Sequence, residues 1–259
     1  MLIDIIVMGG AGRMGATVAR LAAEAPDLHL AGAVESPVCL HKLQGLGCPT
    51  DTEVEALLRR TPGATVVDFT APSVSLAVAR AAAGHAAVQI IGTTGFSPEE
   101  KAELGDLARK TPIFLSPNMS VGVNVLLKLL PELARALGDG YDMEILEIHH
   151  NKKKDAPSGT ALRLAECLAD ARGMSPAAAQ RHCRDGLVGE RPKGEIGVQT
   201  LRGGDVVGVH TVYFMGPGER VEVTHQAHSR ENFANGALFA ARRMQGRKPG
   251  KLYAMHDLL

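Results

Sequence analysis

"IDIIVMGGAGRMG", residues 3 to 15, decides how the first half of this chain folds. Residues 3–8 form a short, apolar, β-branched run of the kind that fills a buried strand. Glycine then takes over. Gly10, Gly12 and Gly15 follow the pattern G-x-G-x-x-G, and residues 13–25 continue with helical spacing. Such glycines let backbone N–H groups come close to a pyrophosphate at the positive end of a helix. The next strand, "LHLAGAVE" (28–35), ends on Glu35, twenty residues past Gly15. A carboxylate there is placed to accept hydrogen bonds from an adenosine ribose. A glycine-rich turn without a ligand is the plainer alternative. The strand before it, the helix after it and the acid at that distance all speak against that alternative.

Outward from this unit the pattern repeats. Strands are expected at 64–69, 87–92 and 111–116, with helices over 52–60 and 73–84 between them. Ser97, Pro98 and Glu100 mark another helix start: a hydroxyl cap, a proline in the first turn and a reciprocal glutamate. "GTTG" (92–95) adds a second small loop at the same end of the strands. Strand and helix alternating over short loops predict a parallel sheet covered on both faces, which is a Rossmann-type α/β fold.

After residue 120 the text changes. Residues 121–137 are apolar with helical spacing, although Pro131 should kink or divide them. "YDMEILEIH" (141–149) is a strand, and residues 158–172 are a helix capped by Ser158. Three strands follow, over 196–202, 205–214 and 219–228, read as joined by tight turns at Gly203-Gly204 and at 215–219. They suggest a smaller α+β domain with a mixed sheet. A last helix from about 231 returns to the first domain. The expected division is 1–120 with 231–259, and 121–230.

Composition narrows the function. The 259 residues carry 28 Lys plus Arg against 28 Asp plus Glu, so nucleic acid and an anionic membrane are poor partners. No apolar run approaches the roughly 20 residues that span a bilayer, and the N-terminus lacks a basic secretory segment. The four cysteines (39, 48, 167 and 183) are scattered, which suits free thiols in a reducing cytoplasm and offers no metal cluster.

"EIHHNKKKDAPSGTA" (147–161) holds the densest chemistry. His149 and His150 end a strand, so their rings point to opposite sides. Histidine transfers protons near neutral pH. Lysines 152–154 bring positive charge, and "PSGT" at a helix start offers N–H groups and hydroxyls to a carboxylate. The segment suits an acid beside an anion site. A solvated basic loop before a capped helix is the alternative that these residues alone leave open.

The motifs "GGAGRMG" (9–15), "VVDFTAP" (66–72), "IGTTGF" (91–96), "SPNMSVGVNV" (116–125), "EIHHNKKKDAPSGTA" and "HSRENFANGA" (228–237) occur in the order found in 4-hydroxy-tetrahydrodipicolinate reductases, long called dihydrodipicolinate reductases. The chain resembles that family over nearly its whole length. The string H-H-x-x-K-x-D-x-P-S-G-T-A carries the resemblance most specifically. It implies a two-domain homotetramer of lysine and diaminopimelate synthesis that reduces a cyclic imine dicarboxylate with NADH or NADPH. By resemblance His149 is the proton donor, acting as an imidazolium held among cations, and Lys153 is the catalytic lysine. His150, Ser158, Gly159, Thr160 and Arg230 would bind the substrate. The cofactor would lie on Gly9, Gly10, Ala11, Gly12, Arg13, Met14, Gly15 and Glu35, on Gly92, Thr93 and Thr94, and on Ser116, Pro117, Asn118 and Met119. Where many relatives carry an arginine after Glu35, this chain has Ser36-Pro37, which favours NADH over NADPH. The rival readings are another two-domain NAD(P)-dependent amino-acid dehydrogenase and a non-catalytic nicotinamide redox sensor. The crowd of cations argues against the first, and a complete proton-donor string against the second.

Overall fold

The computed structural model describes residues 2–259. In chain order the elements begin with β1 (Ile3–Met8), α1 (Arg13–Glu24), β2 (Leu28–Val34), β3 (Thr50–Asp51) and α2 (Val54–Arg60). Next come β4 (Thr65–Asp68), α3 (Pro72–Gly84), β5 (Val88–Ile91), α4 (Pro98–Leu107), β6 (Ile113–Leu115) and α5 (Val121–Leu137). The second half adds β7 (Asp142–His149), α6 (Gly159–Ala171), α7 (Pro176–Ala179), β8 (Gln180–Arg181), β9 (Ile196–Arg202), β10 (Gly208–Gly216) and β11 (Glu219–Ala227). The chain closes with α8 (Glu231–Arg243) and β12 (Leu252–Tyr253). It separates into two compact units: Met1–Val121 with Glu231–Leu259, and Gly122–Arg230.

The first unit is built on a seven-stranded sheet ordered β12-β6-β5-β4-β1-β2-β3, with every pairing parallel. Its strands read as unbroken apolar runs because helices cover both faces. Ile5, Val7, Val67 and Ile90 pack with Val18, Ala22, Ala237 and Ala241 on one side. Ile6, Met8 and Val66 pack with Leu57, Leu58 and Val78 on the other. The α4 start is as expected: Ser97 Oγ accepts the Glu100 N–H at 3.2 Å, and Glu100 Oε2 accepts the Ser97 N–H at 2.8 Å.

The second unit carries a five-stranded mixed sheet ordered β11-β10-β7-β9-β8. Here one expectation fails. Strands β9 and β10 are not a hairpin, because β7 lies between them, parallel to β9 and antiparallel to β10. The Gly203-Gly204 segment does not turn the chain onto its neighbour. Instead Gly203 N–H bonds His149 O at 3.0 Å, Asn151 N–H bonds Gly204 O at 3.2 Å, and His150 N–H bonds Val206 O at 2.8 Å. The segment is therefore spent on fixing the end of β7. Only β10 and β11 form a hairpin.

Helix α5 also runs through Pro131 undivided. Proline removes the donor that would have met the carbonyl of Leu127, and the Cys167 thiol donates to that oxygen at 3.3 Å instead. The core of this unit joins Leu130 and Ala134 of α5 and Leu164 and Leu168 of α6 to Ile145, Val198, Val212 and Phe214 of the sheet.

Candidate functional site

Parallel register brings the expected cofactor residues to one edge. Met8 stands beside Val34 and Asp68, Asp68 beside Ile91, and Ile91 beside Leu115. The loops after β1, β2, β4, β5 and β6 thus all leave the carboxyl edge. Strand β1 lies between β2 and β4, where the strand order reverses, the usual crevice for a ligand in such sheets.

The glycine loop is shaped for close approach. Gly9 has φ 64°, in the left-handed region. A Cβ at Gly15 would overlap the Gly9 carbonyl oxygen and lie 2.7 Å from its carbon, and one at Gly12 would come within 3.1 Å of the same oxygen. The N–H groups of Gly10 and Gly12 close the turn onto Val34 O and Gly9 O. Those of Arg13, Met14 and Gly15 belong to the first turn of α1, which a helix leaves without internal partners. Glu35 accepts the Ala11 N–H on Oε2 at 3.0 Å and the Ser36 N–H on Oε1 at 2.8 Å, so it braces the loop it was expected to serve. A cradle that any side chain would fill, open at a helix N-terminus, fits a dinucleotide pyrophosphate.

The neighbouring loops are tied together by Asp68, which is fully buried. Its Oδ1 accepts Thr70 N–H at 2.9 Å and Thr70 Oγ1 at 2.6 Å, with Thr93 Oγ1 at 3.4 Å. Gly92 faces the Phe69 ring, which a Cβ would penetrate. Thr94 and Pro117 are exposed, whereas Ser116 is buried and donates through Oγ to Asn118 O at 2.7 Å. Met119 is buried against α8, where Gly236 leaves room for its carbonyl.

The second cluster gathers at the end of β7. Side chains alternate along a strand, so Met143, Ile145, Glu147 and His149 share the face that packs on α5 and α6. Glu147 is entirely buried, and sequence reading passed over it. Its Oε1 accepts Ser158 N–H at 2.9 Å, Thr200 Oγ1 at 3.1 Å and Arg202 Nη2 at 2.8 Å; its Oε2 accepts Arg202 Nη1 at 2.8 Å and meets His149 Nδ1 at 2.6 Å. Burial alone would raise this carboxyl. The Arg202, His149 and Ser158 hydrogen bonds outweigh it and hold the group at about 2. Register explains the gathering: Glu147 stands opposite Thr200 on β9 and His210 on β10, and His149 opposite Arg202.

His149 is mostly buried. Burial pushes its pKa below the usual histidine range, Glu147 pulls the other way, and Lys153 and Arg202 add to the lowering. Cations therefore do not hold an imidazolium here, as the sequence reading had it. Among the described residues, the group that favours the charged ring is the carboxylate of Glu147. Beside His149, at 5.2 Å and nearly edge-on, lies the ring of His210, which burial brings down to about 4. His210 Nε2 meets Ser158 Oγ at 2.9 Å, and that oxygen also caps α6 by accepting Ala161 N–H at 3.2 Å. Such a cap contributes about 1 kcal/mol.

The other expected residues fall around this pair. Gly159 and Thr160 open α6. His150 turns to the other side, its Nδ1 accepting the Lys152 N–H at 3.2 Å. Lys153 Nζ sits on both oxygens of Asp155 at 2.9 and 2.8 Å, while Lys152 and Lys154 are exposed. Arg230 is exposed just past β11, and among the described residues no hydrogen bond joins it to the Glu147 cluster. The arginine that meets the Glu147 carboxylate is Arg202.

Two family models, described as dihydrodipicolinate reductase N-terminus and C-terminus, match residues 3–119 and 122–259. The chain belongs to the dihydrodipicolinate reductase family. The 4-hydroxy-tetrahydrodipicolinate reductase of Desulfovibrio desulfuricans is 60% identical over 254 residues, 98% of each chain. That of Nitratidesulfovibrio vulgaris Miyazaki F is 59% identical over 99% of each. Among solved structures, dipicolinate-bound dihydrodipicolinate reductase from Paenisporosarcina sp. TG-14 superposes with a TM-score of 0.81 at 24% identity over the whole of both chains. A probable dehydrogenase from Thermotoga maritima shares the fold at a TM-score of 0.63 and 11% identity, covering 99% of this chain and 92% of its own.

Proposed function

We propose that this chain reduces 4-hydroxy-tetrahydrodipicolinate, in its dehydrated form, to tetrahydrodipicolinate in lysine and diaminopimelate synthesis. It is an oxidoreductase of that family and uses a nicotinamide cofactor. One observation carries the site assignment: a mostly buried histidine, hydrogen-bonded to a buried carboxylate, stands between a lysine and a capped helix start.

The reduced nicotinamide, when bound, supplies a hydride to C4 of the conjugated imine. The Gly9–Gly15 loop would hold the pyrophosphate and Glu35 the ribose, with the Gly92–Thr94 and Ser116–Met119 loops also on the cofactor side. As charge builds in the conjugated substrate, His149 donates a proton from Nε2. Gly208, which has no side chain to crowd that nitrogen, lies beside it; a Cβ there would come within 3.0 Å. Lys153 meets one carboxylate. Ser158, Gly159 and Thr160 receive the other at the positive end of α6, with His150 and Arg230 completing the shell.

The first unit is the dinucleotide-binding domain and the second binds substrate and assembles the oligomer. The second sheet's face away from α5 and α6 carries Leu146, Ile148, Val209 and Tyr213, with Leu201 and Met215 exposed at 50% and 36%. An apolar sheet face of that kind suits burial against its own copies, which supports a homotetramer. Four free thiols support a cytoplasmic setting, and no helix among the described residues is long and apolar enough to cross a membrane.

The test is absorbance at the nicotinamide band with substrate made enzymatically. Substrate-dependent loss of NADH, with dipicolinate as a competitive inhibitor, is the expected result. No substrate-dependent oxidation overturns the reading.

A further inference from the structure

We propose that Glu147 is a positioning residue for the proton transfer: clamped by Arg202, it fixes the His149 ring so that the transferable proton sits on Nε2. This rests on His149 being the acid. The geometry leaves little choice of tautomer. A carboxylate only accepts hydrogen bonds, so the 2.6 Å contact to Nδ1 requires a proton on Nδ1 in both charge states of the ring. The charged ring then gives its Nε2 proton away and remains as a stable neutral Nδ1–H tautomer, with no rotation.

The carboxylate cannot swing out of that role. Arg202 grips both oxygens at 2.8 Å, Ser158 N–H and Thr200 Oγ1 occupy Oε1, and Arg202 Nη2 is itself tied to Asp155 O at 2.7 Å. The same side chain that orients the acid thus holds the first residue of the carboxylate cradle.

The surroundings make the carboxylate necessary. Facing His149 are Lys153 from the following loop, Arg202 from β9 and His210 from β10, and His225 on β11 stands opposite His210. Asp155 faces Lys153 and Arg202, not the imidazole. Every group against the ring except Glu147 is cationic or neutral. Without Glu147 the ring would titrate lower still, because burial, Lys153 and Arg202 all disfavour its charged form.

A merely structural role, as partner of Arg202 and anchor of Ser158, is the competing account, and two measurements separate them. Nitrogen NMR of the wild-type protein labelled with 15N-histidine, with the His149 signals assigned against H149Q, should show the neutral ring protonated on Nδ1. An Nε2–H tautomer overturns the proposal, and this needs no Glu147 variant to fold. The second is E147Q. Its amide presents N–H where the carboxylate accepted, so Nδ1 becomes the acceptor and the tautomer reverses. A comparable amide-for-carboxylate exchange beside a catalytic histidine costs about 10⁴ in the serine-protease triad. Here kcat should fall by about 10²-fold or more, with NADH affinity by fluorescence titration unchanged. Activity that needs protonated His149 declines as pH rises through its pKa, and that limb should move to lower pH in E147Q. A folded E147Q that keeps the wild-type limb position overturns the proposal. If H149Q itself turns over normally, the reading of His149 as acid fails instead, whatever tautomer the ring shows.

Discussion

The two regions of this molecule that carry chemistry are built by opposite means. At Gly9–Gly15 the site is made by leaving side chains out: a Cβ at Gly15 would overlap the backbone of Gly9, and the first turn of α1 opens there with its N–H groups lacking helix partners. At the end of β7 the site is made by crowding side chains in: one buried carboxylate accepts four hydrogen bonds and holds a histidine as well. The first is local, written within a few residues. The second draws on β7, β9 and the turn before α6. Backbone sites are set by shape, so substitutions should act on binding. Charged sites are set by protonation, so substitutions should act on turnover and its pH dependence.

The largest effect expected from this contrast is a paired one. His149→Gln should leave cofactor binding intact and lower kcat by roughly 10²–10⁴-fold, the usual worth of a placed proton donor. Gly15→Ala should do the reverse. It forces the loop apart at about 1–3 kcal/mol, the cost of overpacking, and raises the dissociation constant for NADH in a fluorescence titration. If His149→Gln changes only KM, or Gly15→Ala binds NADH as the wild type does, the contrast between the two regions fails.

Next in size is the lysine run. Lys153 lies against Asp155 with its side chain 20% exposed, whereas Lys152 is in solvent. Lys153→Ala should cost on the order of 2–5 kcal/mol in kcat/KM, as for stripping one member of a close charge pair. Lys152→Ala should cost about 0–1 kcal/mol. Equal effects in steady-state kinetics would mean that the run acts as diffuse charge, and that this region is no more specific than a basic loop.

How much of this was legible follows the same divide. The parallel sheet was readable because strands buried on both faces need continuous apolar runs, and the α4 capping box because its residues are three apart. The glycine loop was readable for the same local reason. In the second unit the histidines and Lys153 stood out, but the hub did not. Glu147 had one signal, a carboxylate two residues before His149 and in phase with Met143 and Ile145 on the buried face. Arg202, Thr200 and His210 had none, since only the pairing of β9 and β10 with β7 brings them there. The supposed hairpin at Gly203-Gly204 hid that pairing. Two adjacent glycines look like a tight turn, and nothing local reveals that their backbone groups are taken by His149 and Asn151.

The smallest expected effect is the choice of cofactor, and it asks whether side chains matter in the backbone-built region. Glu35 accepts two backbone N–H groups, from Ala11 and Ser36. It retains lone pairs for ribose hydroxyls, and its charge opposes a 2′-phosphate. Ser36 and Pro37 are exposed and supply no cation. His41 and Lys42 are also exposed, on a short 3₁₀ turn (Leu40–Leu43) whose Leu43 is buried beside Gly10. Lys42 is the nearest lysine or arginine in sequence, on a turn anchored by its apolar residue. NADH should therefore be preferred by about 1–2 kcal/mol, roughly tenfold, the range of one hydrogen bond to a charged group. Ser36→Arg should recover NADPH use, because a guanidinium pairs a phosphate through two hydrogen bonds. Comparing kcat/KM for the two cofactors in wild type, Ser36→Arg and Lys42→Ala decides it. A wild type that prefers NADPH and loses that preference in Lys42→Ala would assign the phosphate to the 3₁₀ turn, and this region too would then depend on a placed side chain.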